Sequence, residues 1–270
     1  MLNLLTPQHL LSTLKIVKQG TVYSLGAPVG RSGPVHAGRN TTWHIMSTID
    51  NRPDGGGGAD DILVTQCHAS THIDALCHVW YERQLYNGHS SENVTPGGAK
   101  RCGVENIRWV IARGVLLDIP KSLGVDRLPG RHAVTPAELD KAAALEKVQI
   151  RPGDVVLVRT GWYRSFAAGD ADMAGDYPGV GRSVCEWLLD HDVVALGADN
   201  VAVEIYPPEP ESQGRLPVHK TMLRDLGGYL IEFLNLEEIA QQSVYEFVFV
   251  AAPLRITGGI GSPINPLAIV

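Results

Sequence analysis

Residues 67–78 read Cys-His-Ala-Ser-Thr-His-Ile-Asp-Ala-Leu-Cys-His, so His68, His72, Asp74 and His78 follow the pattern His-x3-His-x-Asp-x3-His. Imidazole and carboxylate are ligand types that suit zinc, manganese or iron. The spacing also constrains the backbone. On an ideal helix His68 and His72 share a face, but Asp74 points away from it. On a straight strand all four share a face, yet His68 and His72 stand roughly 13 Å apart at about 3.3 Å per residue. Neither regular element brings three of them to one ion. The expectation is a strand that ends in a bend and enters a helix, with the small run Ala69-Ser70-Thr71 as the bend. Asp74 then begins the helix, and His78 falls about one turn later on the same side. This is not the His-Glu-x-x-His helix of metalloproteases, because residue 69 is Ala.

Outward from this stretch, apolar runs and helical periods alternate along the whole chain. Residues 62–66 read as a strand that leads into the histidines, and residues 22–25 as a short strand. Residues 26–42 and 52–60 are rich in Gly and Pro and read as loops, with Gly55 to Gly58 the most flexible piece. Thr6-Pro7 opens a helix over residues 8–18 that Gly20 ends. Thr135-Pro136 with Glu138 is a capping box, and it opens a helix over residues 135–147. Residues 109–117, 154–159, 193–197, 228–233 and 244–253 read as strands, and residues 181–191 and 236–241 as helices. Residues 216–225 are irregular or a short helix. There is no internal repeat and no obligatory linker, so the expectation is one α/β unit over residues 1–270.

Composition narrows the function. The chain has 270 residues, 44% hydrophobic and 19% charged, with a net charge of −6, which is ordinary globular composition. No basic patch suggests nucleic acid, and no stretch offers the roughly 20 apolar residues of a membrane span. The first 25 residues are interrupted by Gln8, His9, Lys15 and Lys18 and do not read as a signal peptide. Cys67, Cys77, Cys102 and Cys185 form no CxxC pair and read as reduced thiols of a cytoplasmic protein. Cys67 and Cys77 flank the histidines, so they are either further ligands or inert buried thiols.

Several other residues invite a role. A cation with an open coordination position acidifies bound water, and such chemistry needs a group that moves protons; His78 suits it. Glu232 is an acid inside the apolar run Tyr229-Leu230-Ile231-Glu232-Phe233. Buried carboxylates are rare unless paired or metal-bound, so Glu232 is a site residue or half of an ion pair. Asp199 and Glu204 follow a buried strand, where they either orient a site or sit as ordinary turn acids. Gly258-Gly259-x-Gly261 lacks the order of a nucleotide loop and reads as a backbone turn near the pocket. Trp43, His44, Leu76, Val79 and Trp80 are candidates for an apolar substrate wall. His9, His36, His89, His132 and His191 take no role.

The run His68 to His78 resembles the His-x-Gly-Thr-His-x-Asp-x-Pro-x-His signature of the cyclase-like metal-dependent hydrolases, a family of kynurenine formamidase, isatin hydrolase and lactone hydrolase type. Ser70 stands at the usual Gly and Leu76 at the usual Pro, while all four polar positions are kept. The resemblance extends to residues 22–26, 153–162, 197–204, 219–236 and 257–266. It implies that His68, His72 and Asp74 hold a first metal and that His78 is the general acid/base. It implies that His219 and Glu232 complete the site as further ligands, with Glu232 also counted as catalytic. The implied cofactor is zinc or manganese, one or two ions per subunit. The implied fold is a single-domain α/β structure of swivelling β/β/α type, with a central mixed β-barrel-like sheet surrounded by helices. Residues 1–20 are a helical extension, and the assembly is a homodimer or homotetramer. The implied activity is hydrolysis of a small cyclic amide, aryl formamide or lactone. A lyase or cyclase acting on a polyketide-like acid, and a non-catalytic metal or small-molecule binder, are the alternatives.

Overall fold

Four strands, buried at every position but the half-buried Ile111, set the architecture: β5 (Val110–Asp118), β6 (Val155–Arg159), β7 (Ala195–Ala198) and β8 (Tyr229–Glu232). Before them come β1 (Val22–Ser24), β2 (Trp43–Asn51), β3 (Gly57–Val64) and β4 (His72–Asp74); after them come β9 (Glu246–Ala251), β10 (Gly261–Pro263) and β11 (Leu267–Ile269). This computed structural model describes residues 1–171, 175–210 and 214–270.

The four central strands run parallel, β5 beside β6, β6 beside β7 and β7 beside β8. Parallel strands are covered on both faces and therefore read as unbroken apolar runs, as Val155-Val156-Leu157-Val158 does. The two-residue period of a strand then deals alternate side chains to two cores. Val155, Leu157, Ala195 and Ile231 enter one, packed with Phe247 and Phe249. Val156, Val158, Leu196 and Leu230 enter the other, packed with Leu139, Val184 and Leu188 of the helices. Antiparallel strands extend the sheet at both sides, giving the order β1-β11-β9-β5-β6-β7-β8-β4-β10. The result is a large curled mixed sheet with helices around it.

The helices are short. They are α1 (Pro7–Thr13), α2 (Ile119–Leu123), α3 (Pro136–Glu146), α4 (Trp162–Ala167), α5 (Val184–Asp190), α6 (Pro217–His219) and α7 (Glu237–Gln241). The Thr135 capping box is formed as the residue types predict, with Thr135 accepting from the Glu138 amide and Glu138 accepting from the Thr135 amide; such a cap contributes about 1 kcal/mol. Residues 220–226, expected as irregular or short helix, continue α6 as a π-helix. No helix among the described residues is long and apolar enough to cross a membrane.

The reading of residues 52–60 as a loop is corrected. β2 and β3 form an antiparallel ribbon, and Gly57 and Gly58 lie inside β3, opposite Asn51 and Asp50. The turn is confined to residues 52–56, where Gly55 adopts φ +83°. Glycine is needed at 57 because a Cβ there would run into the Asp50 carbonyl. Every residue of both strands is exposed.

Candidate metal and catalytic site

The histidine run folds as turn, strand, turn, which replaces the expected bend into a helix. β4 is three residues long and fully buried. Its period of two sends His72 and Asp74 to one face and Ile73 into the core on the other. β4 is held between β8, where Glu232 pairs with His72, and β10, where Gly261 pairs with Asp74. His68 precedes the strand in a turn that returns toward Asp74. The reversal uses Ser70 at φ +56°. That left-handed geometry favours glycine, which is why a signature glycine suits this position. Here the Ser70 hydroxyl compensates by donating to the Ala27 carbonyl at 3.1 Å. His78 lies on the turn after β4, where its amide donates to the Ala75 carbonyl at 2.9 Å, and is not on a helix.

Asp74 is the hub. Its Oδ1 lies 3.3 Å from His68 Nε2, 3.5 Å from His72 Nε2 and 4.0 Å from His78 Nε2. Its Oδ2 lies 3.4 Å from His219 Nε2. Glu232, at the carboxyl end of β8, approaches His72 Nε2 at 3.1 Å and His219 Nε2 at 3.0 Å. All six predicted polar residues therefore meet. They do so beside the carboxyl ends of the parallel strands, where α/β folds form crevices.

The outer partners orient the imidazoles. His72 Nδ1 donates to the Ser70 carbonyl at 2.9 Å, so Nε2 faces the cluster. His219 Nδ1 bonds Glu204 Oε1 at 2.5 Å, and the same carboxylate accepts from the amides of Val218 and His219. Glu204 thus positions His219. Asp199 does something else: it accepts from the Thr160 amide and hydroxyl and from the Gly161 amide at 2.7–2.8 Å. It clamps the turn after β6 rather than orienting the site, and burial pushes its pKa up to about 6.

Charge is distributed unevenly over the cluster. Burial pulls the His72 pKa down, but the negative Glu232 and the nearby Asp74 outweigh it and bring it to about 9. His219 is likewise raised well above the ordinary value, against burial, by Asp74, Glu204 and Glu232. Burial works to raise both acids, yet the imidazoles hold Asp74 well below the usual range and Glu232 at about 2. His78 moves the other way. Burial, aided by His68 and His219 and opposed by Asp74, lowers it to about 3. Without a cation the cluster holds two carboxylates, protons on His72 and His219, and a neutral His78.

The residues fit a divalent cation. Four buried atoms, His68 Nε2, His72 Nε2 and both oxygens of Asp74, form no well-aligned hydrogen bond, although charged neighbours stand 3.1–3.5 Å away. Buried polar atoms left unpaired cost about 1–3 kcal/mol each, and one cation satisfies them together. The ligand atoms fall into two groups, His68-Asp74-His78 and His72-Asp74-Glu232, each gathered within 4.8 Å. Nitrogen plus carboxylate oxygen is a donor set for zinc or manganese.

Gly261, from the Gly-rich tail, closes the cluster from β10. A Cβ at this position would stand 2.7 Å from His68 Nε2 and 3.0 Å from the Ile73 carbonyl. Gly261→Ala is therefore expected to displace the His68 ring and weaken cation binding by about tenfold, the lower end of what disturbing a ligand's support costs. Equilibrium dialysis checks this, and unchanged affinity overturns it.

A cavity of about 250 Å³ opens onto the cluster, lined by His36, Arg39, His78, Tyr177, His219 and Glu232 among others. The residues expected as an apolar wall do not line this cavity, which is a further correction. Trp43 and His44 are carried into solvent on the ribbon, with His44 bonded to Asp61 at 2.6 Å. Leu76 packs against the two cores, and Trp80 is 39% exposed. None of the four lines the cavity. Tyr177 and Arg39 carry no distinguishing pattern in the sequence, and His36 is among the histidines to which the sequence assigns no role.

The fold is shared with known proteins. The Cyclase family model matches residues 23–205. A crystal structure described as a novel cyclase superposes with a TM-score of 0.90 at 33% identity, covering 99% of this chain and 94% of that one. An isatin hydrolase of Roseibium aggregatum is 28% identical over 240 residues, 84% of this chain and 80% of its own length. A crystal structure of an isatin hydrolase bound to the product analogue thioisatinate superposes with a TM-score of 0.69 at 25% identity, covering 98% and 99% of the two chains. The matched span contains the whole His68 to His78 run, and the shared fold brings His219 and Glu232 to it from outside that span: the chain belongs to the Cyclase family.

Proposed function

We propose that the protein is a metal-dependent hydrolase that opens a small cyclic amide or lactone, or cleaves an aryl formamide. The observation that carries this reading is the set of His68, His72 and Asp74 atoms without a well-aligned hydrogen bond, facing one another beside a cavity that His78 lines. The isatin hydrolase relatives support the reaction type. His68, His72 and Asp74 would hold the cation, one ion or two of zinc or manganese, with His219 and Glu232 completing the sphere. When bound, a divalent cation supplies an acidified water and positive charge for a carbonyl oxygen. The chain supplies the rest. Ser70 and Glu204 lock the His72 and His219 tautomers. Neutral His78 accepts the proton of the attacking water and returns it to the departing nitrogen or oxygen. Glu232 takes a share of the positive charge.

The test couples metal content to oxygen labelling. The purified protein is expected to hold near-stoichiometric zinc or manganese by plasma mass spectrometry, and His72→Ala to hold none. Turnover of a cyclic amide or lactone panel in ¹⁸O-water is expected to place the label in the product carboxylate. Turnover without label would favour a lyase or cyclase, and absence of any bound cation would remove the reading.

The homodimer or homotetramer belongs to the same proposal, and the exposed ribbon supports it. Trp43, Ile45, Ile62 and Val64 pair across β2 and β3 on one face, each 45–56% exposed. An isolated two-stranded ribbon is marginal in water, and a contiguous exposed apolar face marks an interaction site. A second copy of the chain, related by a two-fold axis, is the occupant we assign. Light scattering is expected to give at least a dimer, and Ile45→Lys with Ile62→Lys a monomer; a monomeric parent protein sinks this assignment.

A further inference from the structure

The cavity holds two guanidinium groups that this chemistry does not use. Arg39 enters from the loop before β2, and its Nη1 donates to the His68 carbonyl at 2.7 Å, which ties it to the first ligand. Arg215 enters from the segment before α6 and lines the same cavity. Among the described residues Arg215 has no hydrogen bond and no ion pair. The acids nearest the cluster are already engaged. Glu204 accepts from two amides and His219, and Glu232 faces His72 and His219. Positive charge is therefore left facing the cavity. His36 reports it: burial, together with Arg39 and Arg215, holds its pKa below the ordinary value against the pull of Glu232. The wall beside these groups is flat. Tyr177 and Tyr206 both line the cavity, their rings stacked at 5.4 Å with planes 24° apart.

We infer that Arg39 and Arg215 form a carboxylate-binding subsite, so that the substrate carries a carboxylate on a planar ring in addition to its scissile carbonyl. The inference rests on the hydrolase reading for the scissile bond, and on the cavity alone for the carboxylate. Guanidinium presents a planar fork that matches a carboxylate with two parallel hydrogen bonds. A planar aryl carboxylate also places its ring against the tyrosine wall, which a compact tetrahedral anion does not do. Arg39 is already held by its bond to His68, so less side-chain freedom is lost when it binds.

The probes are benzoate, its neutral isostere benzamide and inorganic phosphate, titrated by calorimetry at constant ionic strength into the metal-loaded protein. Benzoate is expected to bind at least about tenfold more tightly than benzamide, the range of a charge-assisted pair. Arg215→Ala is expected to lose that advantage, and Arg215→Lys to recover part of it. Arg215 is exposed, so both variants are expected to fold. Benzoate binding should persist in cation-free His72→Ala, which separates the subsite from direct ligation of the cation. In turnover, 4-formamidobenzoate should show a KM at least about tenfold higher in Arg215→Ala, while formanilide is unaffected. Equal binding of benzoate and benzamide, or benzoate binding that Arg215→Ala leaves intact, overturns the inference. So does phosphate binding more tightly than benzoate. Benzoate binding lost only in Arg215→Ala supports the subsite even if neither formamide is turned over, and that combination counts against the hydrolase reading alone.

Discussion

Asp74→Asn is expected to strip the protein of its cation and of its activity together while leaving it folded. Both carboxylate oxygens point into the cluster, Oδ1 at three imidazoles and Oδ2 at a fourth. Asparagine preserves the shape but removes the negative charge and turns an N–H₂ toward imidazole nitrogens that must present lone pairs. Loss of an outer partner of a ligand costs about 10–100-fold in metal affinity, so loss of the shared central ligand is expected to exceed about 100-fold. Two measurements check this. Metal content after dialysis should fall to background. Thermal stabilisation by added cation should vanish, where the parent protein gains about 2.7 kcal/mol at a cation concentration 100-fold above Kd. The parent's affinity should also rise with pH, because a cation must displace the protons on His72, at about 9, and on His219. The part of the gain that comes from His72 should level off once the pH passes about 9. Full metal retention by Asp74→Asn would mean that the cation, if any, is held elsewhere.

The parts of the site that the sequence made legible are those in which local order carries the chemistry. His68, His72, Asp74 and His78 lie within eleven positions, so their meeting needs only a reversal of the chain. The residue types mark the candidate ligand set, but they do not fix the bend. A helix after Asp74 and a turn after Asp74 both bring His78 back, and nothing in Ala75-Leu76-Cys77 separates them. Glu232 was legible for a different reason: an acid in an apolar strand needs a partner. His219 is visible only through the family pattern, since its position depends on Glu204 and on the packing of the π-helix over residues 220–226 against β8. Arg39, Tyr177 and Arg215 come from three separate loops, and only the tertiary fold gathers them. Trp43 and His44 show the converse limit. Their alternation with Ile45 and Met46 is that of a strand, but no local rule says which surface covers that strand. The central strands of the sheet are legible, because buried parallel strands read as apolar runs, as residues 155–158 do, whereas the three-residue strands β4, β10 and β11 are too short to carry such a run.

His78→Ala is expected to lower turnover by about 10²–10⁴-fold, the contribution of a well-placed general acid/base, with the cation retained. The geometry separates His78 from the other imidazoles. His72 is fully buried and His219 is tied to Glu204, whereas His78 lines the cavity and stands 4.0 Å from Asp74. Its ring stacks on His68 at a centroid distance of 4.0 Å and 24°, which holds it beside the cluster. It also differs in charge, since burial keeps it neutral down to about pH 3 while His72 and His219 carry protons. A neutral imidazole has a free lone pair near neutral pH, so His78 can accept a proton there without first losing one. The competing role is ligation, because His78 also belongs to one of the two ligand groups. Metal content decides between them. Turnover lost with the cation in place assigns proton transfer; loss of the cation together with turnover assigns His78 to the coordination sphere. His78→Gln sharpens the contrast, because glutamine can still offer an oxygen to a cation but cannot carry a proton. A glutamine variant as inactive as the alanine variant, with metal bound, leaves proton transfer as the role of His78. Recovery of metal and turnover by glutamine overturns it.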